Sequence, residues 1–188
     1  MSSTSQQVLA ETRAWVDRMV IGLNLCPFTK AVQARGQIRY VVSEARDVDR
    51  LLDELCEEMQ RLVATDAAEV DTTLLIHPWV LGDFLDFNEF IGAADEALEQ
   101  LGHAGVLQVA SFHPQFQFAG TAADDVTNAT NRSPHPTLHL LREESVDRAV
   151  AAFPEASMIF EKNILTLKAL GAAGFAALQA QCKVDAGG

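Results

Sequence analysis

The sequence predicts an α/β fold, a single domain with a small, largely parallel four-stranded sheet flanked by helices. The chain has 188 residues, a length typical of one domain. Short apolar and β-branched segments alternate along it with segments whose apolar residues recur at helical spacing. This alternation is typical of right-handed crossovers between parallel strands. An α+β fold with an antiparallel last strand is the alternative.

The first helix is predicted from Leu9, Val16 and Val20, which recur at helical spacing. It ends at Cys26, because Pro27 disfavours a helical conformation in the residue before it. The elements predicted next are a strand at 38–42, a helix at 47–64, a strand at 72–76, a helix capped by Asp83 and a strand at 106–112.

The segment 113–136 shows no period and is predicted to be irregular. An irregular stretch of this length inside a compact domain is functional or disordered. Its prolines, its aromatic residues and Arg132 favour a functional segment. One domain is expected over 1–188, with frayed tails at 1–5 and 184–188. The remaining predicted elements are a strand at 137–141 and helices at 144–152, 155–170 and 173–182.

The formal net charge of −12, from 26 acidic and 14 basic residues, narrows the classes of partner. An acidic surface repels nucleic-acid phosphates and anionic membranes. The first residues do not form a secretory signal, and no apolar run is long enough for a membrane span. We therefore expect a cytoplasmic protein that acts on a small molecule and keeps its three cysteines as free thiols. A homodimer is the default expectation.

Residues that can bind or react precede most of the six prolines. Proline holds the residue before it in an extended conformation. A ligand or catalytic group held in this way loses less entropy on binding. The residues in these positions are Cys26, His77, His113, Ser133 and His135.

His77 and His113 each follow a predicted buried strand directly. In parallel α/β sheets, ligands bind at the carboxyl ends of the strands. If the two strands are neighbours, we expect the two imidazoles to lie close together. The alternative is that each imidazole is hydrogen-bonded and only closes the end of its strand.

His139 on the fourth strand and Cys26 complete the predicted metal site, whose ligands are His77, His113, His139 and Cys26. Imidazole and thiolate ligands favour zinc, iron or copper over magnesium or calcium. The set depends on placement, because the sequence contains neither C-x-x-C nor H-E-x-x-H. The alternatives are a core histidine at 139 and a buried, inert cysteine at 26.

Arg132 is the predicted anchor for an anionic substrate, because its planar guanidinium matches a carboxylate or phosphate. Asn131 and Ser133 supply neutral hydrogen bonds beside it, and Phe116 and Phe118 wall the pocket. The alternatives are an arginine that packs the loop down and ordinary strand packing of the phenylalanines.

Six segments of the chain resemble one known family. They are Gly22-Leu-Asn-Leu-Cys-Pro-Phe28, Leu74-Leu-Ile-His-Pro78, Val109-Ala-Ser-Phe-His-Pro114, Phe116-Gln-Phe-Ala-Gly120, Thr130-Asn-Arg-Ser-Pro134 and Leu138-His-Leu-Leu-Arg-Glu143. Together they resemble the bacterial family named domain of unknown function 1415, over almost the whole chain. The resemblance implies a compact, stand-alone bacterial protein, and it implies no reaction.

The leading hypothesis is a metal-dependent enzyme for a small anionic substrate, with Cys26, His113 and Arg132 as catalytic residues. Zinc would support hydrolysis through a metal-bound water, and iron or copper would support oxidation. A metal-free enzyme with Cys26 as the nucleophile is one alternative. A protein that binds a small ligand or a partner without turnover is the other.

Overall fold

Four short apolar segments pair into one sheet in the computed structural model, which describes residues 3–153 and 155–187. The strands are β1 (Ile38–Val42), β2 (Thr72–Ile76), β3 (Leu107–Phe112) and β4 (Thr137–Arg142), and their order in the sheet is β1-β2-β4-β3. β1 and β2 are parallel, whereas β4 is antiparallel to both β2 and β3. The prediction of a small four-stranded sheet flanked by helices is thus confirmed, in the version with an antiparallel last strand.

The position of β4 changes which strands are neighbours. β1, β2 and β3 run in the same direction, but β4 lies between β2 and β3. The strands that precede His77 and His113 are therefore not adjacent.

The helices agree with the predicted pattern at most positions. They are α1 (Ser3–Trp15), which continues as a π-helix (Val16–Ile21), α2 (Thr29–Ala34), α3 (Val48–Ala64), α4 (Phe84–Gln100), α5 (Glu143–Ala152) and α6 (Ile159–Ala186), with 3-10 helices at Val126–Asn131 and Ala156–Met158. α2 was not predicted. The helices predicted at 155–170 and 173–182 correspond to the two halves of α6, which are separated at Gly171, where φ (69°) and ψ (169°) are not helical.

The predicted frayed tails at 1–5 and 184–188 stay a prediction, although the structure describes part of each as helix. Residues 3–5 belong to α1 and residues 184–186 to α6, while residues 1, 2 and 188 lie outside the described residues. No helix within the described ranges is long and apolar enough to cross a membrane.

Two apolar cores cover the two faces of the sheet. On one face, Leu75, Leu138 and Leu140 pack against side chains of α3 and α4, such as Leu55 and Phe87. The opposite face, which carries Leu74, packs against the end of α1, the π-helix and α6 through Trp15, Met19, Leu167 and Phe175. Because side chains alternate along a strand, neighbouring residues belong to different cores.

α3 and α4 begin at the sheet edge where β1 and β2 end. Asp47 caps α3 by accepting a hydrogen bond from the Arg50 amide, and Asp83 caps α4 by accepting from the Leu85 and Asp86 amides. A side-chain cap satisfies backbone N–H groups that the first helical turn leaves unpaired. At this edge, short loops therefore join β1 to α3 and β2 to α4.

Arg142 on β4 holds the other end of α3. Its guanidinium donates to the carbonyl oxygens of Leu62 (2.6 Å), Thr65 (2.7 Å) and Val70 (3.0 Å). A cation is favourable at a helix C-terminus, where carbonyl groups lack partners.

We expect Arg142→Met to lower the free energy of unfolding by about 3 kcal/mol, because it leaves these carbonyls without a charged donor. Urea denaturation measures the change. Arg148→Met is the matched control, since Arg148 is exposed and its partners among the described residues lie within α5, where such a pair contributes about 0.5 kcal/mol or less. Equal losses in the two variants would contradict this role for Arg142.

Candidate functional site

The candidate site lies at the edge of the sheet where β2 and β3 end and β4 begins. His77 follows β2 and His113 follows β3. The segment 131–136 leads into β4 and crosses between them. The His77 amide donates to the Pro136 carbonyl (2.9 Å), and the His113 amide donates to the Asn131 carbonyl (3.1 Å).

The rings of His77 and His113 lie on the α3–α4 face and contact the same aromatic ring. Their centroids are 5.5 Å and 5.1 Å from the centroid of Phe87, and both imidazoles lie within 30° of its plane. The sequence predicted that the two imidazoles lie close together if their strands are neighbours, and the strands are not neighbours. The two rings meet against Phe87 of α4, because β4 separates their strands.

Both histidines hold the loop that joins β2 to α4. His77 Nδ1 lies 3.1 Å from the Val80 carbonyl oxygen, and His113 Nε2 lies 3.2 Å from the Leu81 carbonyl oxygen. A carbonyl only accepts, so each of these nitrogens carries the proton. The tautomer of each ring follows from these two bonds.

The second nitrogen distinguishes the two rings. His113 Nδ1 accepts a hydrogen bond from the Gln115 amide (3.0 Å), so both nitrogens of His113 are used. His77 Nε2 is buried and has no partner among the described residues. His77 therefore presents a free lone pair, while its other nitrogen is held by a carbonyl. Histidines that act as bases or ligands are commonly oriented in this way.

Burial sets the protonation state of both rings. Loss of hydration lowers the pKa of His77 to about 4, and repulsion from His113 adds to this. Burial also lowers the pKa of His113. Both imidazoles are neutral at pH 7, the form in which a ring nitrogen can accept a proton.

His139 lies on the other face of the sheet. It pairs directly with Leu74, which belongs to the α1–α6 core. Its Nε2 lies 2.7 Å from the Thr72 hydroxyl, whose proton goes to the Leu140 carbonyl (2.6 Å), so His139 donates to Thr72. Burial lowers the pKa of His139 to about 4. The sheet separates this ring from His77 and His113.

Cys26 lies in the turn after the π-helix. The preceding residue, Leu25, belongs to the α1–α6 core, and its carbonyl accepts a hydrogen bond from Asn163 (2.9 Å). Within the described residues, none of His77, His113 and His139 makes a hydrogen bond to Cys26. A catalytic pair of Cys26 with one of these histidines stays a prediction.

The predicted ligand set does not assemble. In the part of the chain that the structure describes, no group of three or more His, Cys, Asp or Glu residues is arranged to hold a metal ion. The reason is the position of β4, which directs His139 away from the edge. In addition, both nitrogens of His113 are already bonded.

The guanidinium of Arg132, the predicted anchor for an anion, donates hydrogen bonds within its own loop. Arg132 donates from Nε to the Phe116 carbonyl (3.1 Å) and from Nη2 to the Ala123 carbonyl (2.6 Å). These bonds join the two ends of the irregular segment, as in the alternative that Arg132 packs the loop down.

The residues predicted beside Arg132 also bond to the loop or to its neighbours. Asn131 donates to the Ser111 carbonyl (3.2 Å), and Ser133 donates to the His135 carbonyl (2.6 Å). Phe116 lies between the rings of Phe84 and Phe118. The aromatic wall thus exists, but it packs α4 to the loop.

Asn128 organises the same loop and was missed by sequence reasoning. It is fully buried, and its Oδ1 accepts from the Phe118 amide (3.0 Å) and the Thr121 hydroxyl (2.8 Å). Its Nδ2 donates to the Ala122 carbonyl (2.9 Å). The tendency of Asn to bond nearby backbone in turns was the available signal.

Arg46 and Trp79 are the other residues that sequence reasoning missed. The Arg46 guanidinium lies 4.5 Å from the centroid of the Trp79 ring. Its side chain is 61% exposed, and its contact to Glu44 is long, at 3.9 Å. The indole Nε1 of Trp79 is buried without a partner in the described ranges. Both residues follow strand ends at this edge, which was the signal that could have found them.

We expect stability to fall as the pH drops from about 6.5 to 4, because unfolded His77 takes up a proton near its ordinary pKa while folded His77 resists it. The loss from this residue approaches about 3 kcal/mol at the lower end and levels off below pH 4. Urea denaturation at several pH values measures it. His77→Asn should flatten the dependence relative to the wild type, and an unchanged slope would contradict a neutral, buried His77.

Elemental analysis of the purified, untagged protein tests the metal hypothesis. Because His139 lies on the opposite face, we expect any bound zinc, iron or copper to be unaffected by His139→Ala. The His113→Ala variant is measured beside it. Stoichiometric metal that both variants lose would restore the predicted ligand set.

Comparison with known proteins supplies a family and no further relatives. No curated protein and no solved structure matches the chain significantly. The family model described as "Protein of unknown function (DUF1415)" matches residues 7–177. The match covers most of the 188 residues and includes both histidines of the edge. The chain therefore belongs to the DUF1415 family.

Proposed function

We propose that this protein is an enzyme that acts on a small anionic substrate at the sheet edge, with His77 as the proton acceptor. The observation that carries the proposal is the buried Nε2 of a neutral imidazole, which has no partner among the residues that the structure describes. An unsatisfied buried acceptor costs about 1–3 kcal/mol. A substrate O–H or N–H group that pairs with Nε2 would recover this energy.

The surroundings of His77 suit proton transfer. On taking a proton at Nε2, the ring would become an imidazolium whose Nδ1–H remains bonded to the Val80 carbonyl. A positioned histidine base typically contributes about 10²–10⁴-fold to a rate. The Phe87 ring fixes the plane of the imidazole, so its orientation is set before substrate arrives.

Arg46 supports the choice of an anionic substrate. Its guanidinium is exposed beside Trp79, which belongs to the loop that His77 starts. Arg132 was the predicted anchor, but two of its three nitrogens, Nε and Nη2, donate to carbonyls of its own loop. Arg46 is thus the better candidate for a contact with a carboxylate or phosphate.

A ligand-binding protein without turnover is the second candidate. It is favoured by the 1% exposure of His77, since a site closed to this degree is also suited to holding a ligand. The two candidates differ in the fate of the small molecule, which is consumed in one case and returned unchanged in the other.

The test is incubation of the purified protein with a small-molecule extract of bacterial cells, followed by mass spectrometry. His77→Asn is the informative variant, because the Asn amide can still donate to the Val80 carbonyl but lacks the base. His103→Gln is the matched control, since His103 also has a buried, unpartnered Nε2 but lies beyond the far end of α4.

We expect the wild type and His103→Gln to consume the same compound, and His77→Asn to be slower by about 10²-fold or more. Full turnover by His77→Asn would contradict a base at this position. A compound that is retained on equilibrium dialysis but never consumed would favour the binding protein. If nothing is consumed or retained, both candidates are wrong.

A further inference from the structure

We propose that residues 78–82 form a lid that His77 and His113 latch in its closed position, and that lid opening exposes Nε2 of His77. The use of the lid in catalysis rests on the proposed function. Its opening does not, because it is argued from the hydrogen bonds and packing of the loop alone.

The latch consists of two hydrogen bonds from two different strands. His77 and His113 donate to the carbonyl oxygens of Val80 and Leu81, which are consecutive residues at the tip of the loop. Among hydrogen bonds between two backbone groups in the described residues, the loop makes a single long one, from the Val80 amide to the His77 carbonyl (3.5 Å). The two imidazoles thus supply side-chain hydrogen bonds that hold the loop in its closed position.

The closed loop carries unfavourable features that opening would remove. Leu81 has φ +57°, a backbone conformation that non-glycine residues rarely adopt. His77 Nε2 and Trp79 Nε1 are both buried without partners in the described ranges, and water would satisfy them in the open state. These features lower the cost of opening relative to unfolding of the sheet.

The two ends of the loop also favour movement of residues 78–82 as one short segment. Pro78 and the helix cap Asp83 mark its two ends, and Asp83 is held by its bonds to α4. Gly82 before the cap is exposed, and a side chain at this position would meet no atom within 4 Å. Val80 and Leu81 are partly buried against the α3–α4 core, and this packing keeps the lid closed most of the time.

An opening lid explains how a histidine that is 1% exposed could meet a substrate. In the closed state, burial holds the pKa of His77 well below its ordinary value. Contact with water reverses the loss of hydration, so the base becomes stronger in the open state. Opening would therefore provide access and basicity together.

The first test measures the accessibility of His77 in the wild-type protein at pH 7. Diethyl pyrocarbonate acylates the free lone pair of a neutral imidazole, and peptide mass spectrometry locates the product. Hydrogen exchange of the Leu75 amide, in the fully buried strand β2, reports unfolding of the sheet. We expect His77 to be protected from the reagent at least 100-fold less than the Leu75 amide is protected from exchange.

Equal protection of His77 and Leu75 would overturn the lid, because His77 would then be reached only by unfolding. This outcome would not decide the proposed function, which is tested separately by the turnover of His77→Asn. Failure of the lid and failure of the proposed function are therefore distinguishable. The wild-type measurement needs no variant and stays decisive if a substitution prevents folding.

The second test is a matched pair of substitutions at the latch. His113→Gln keeps an N–H group near the position of Nε2, whereas His113→Asn removes it and keeps an acceptor for the Gln115 amide. We expect His113→Asn to speed acylation of His77 by about tenfold, the effect of one lost hydrogen bond, and His113→Gln to stay near the wild-type rate. Equal rates in both variants, with the Leu75 amide unchanged, would contradict the latch.

Discussion

The pairing of β4 with both β2 and β3 determines how the rest of the molecule is arranged. Leu138 and Leu140 of this strand are fully buried against α3 and α4, so its register is set by the core. β4 begins at the edge where the other strands end, and the segment before it must cross that edge. The backbone amides of His77 and His113 bond to this segment. One pairing thus unites the two histidines and turns His139 to the opposite face.

The chemistry of each histidine then depends on the partner of each ring nitrogen. His113 bonds through both nitrogens and serves the loops around it. His139 donates to Thr72 within the sheet. His77 bonds through one nitrogen, and its other nitrogen has no partner in the part of the chain that the structure describes. His77 and His113 each follow a strand end and precede a proline. The partners of their ring nitrogens, and not their sequence positions, therefore distinguish a candidate base from a structural ring.

Much of the fold could be predicted because its signals are local. The four strands were placed within one residue at each end, α3 begins one residue after its predicted start, and α4 begins after its predicted cap, Asp83. α2 was missed because it has no buried residue and hence no apolar period. The strand order was not predictable in the same way. β4 joins β2 across more than sixty residues of chain, and local periodicity carries no information on such a pairing.

The sequence predicted where the candidate site lies but not which groups its residues contact. His77 and His113 were found because strand ends and prolines are visible in sequence. The role of Arg132 was not, since its partners are carbonyls 16 and 9 residues away, which meet it only when the loop is folded. Arg46 and Trp79 are ordinary in sequence and become notable through their contact. Every residue supplies a neutral backbone carbonyl, so a sequence pattern cannot indicate which carbonyl a side chain will contact.

The enclosure of His77 has two opposing effects. The apolar surroundings that fix its ring also disfavour its charged form, so the closed site orients the base and weakens it. A working site must hold the ring of His77 in one orientation during the reaction. It must also place water or a polar substrate group beside Nε2. In this fold, the two latch bonds and the packing of Val80 and Leu81 on the α3–α4 core together set this balance. Apolar contacts of the loop, which take no part in the proton transfer, therefore help to determine how often His77 is available.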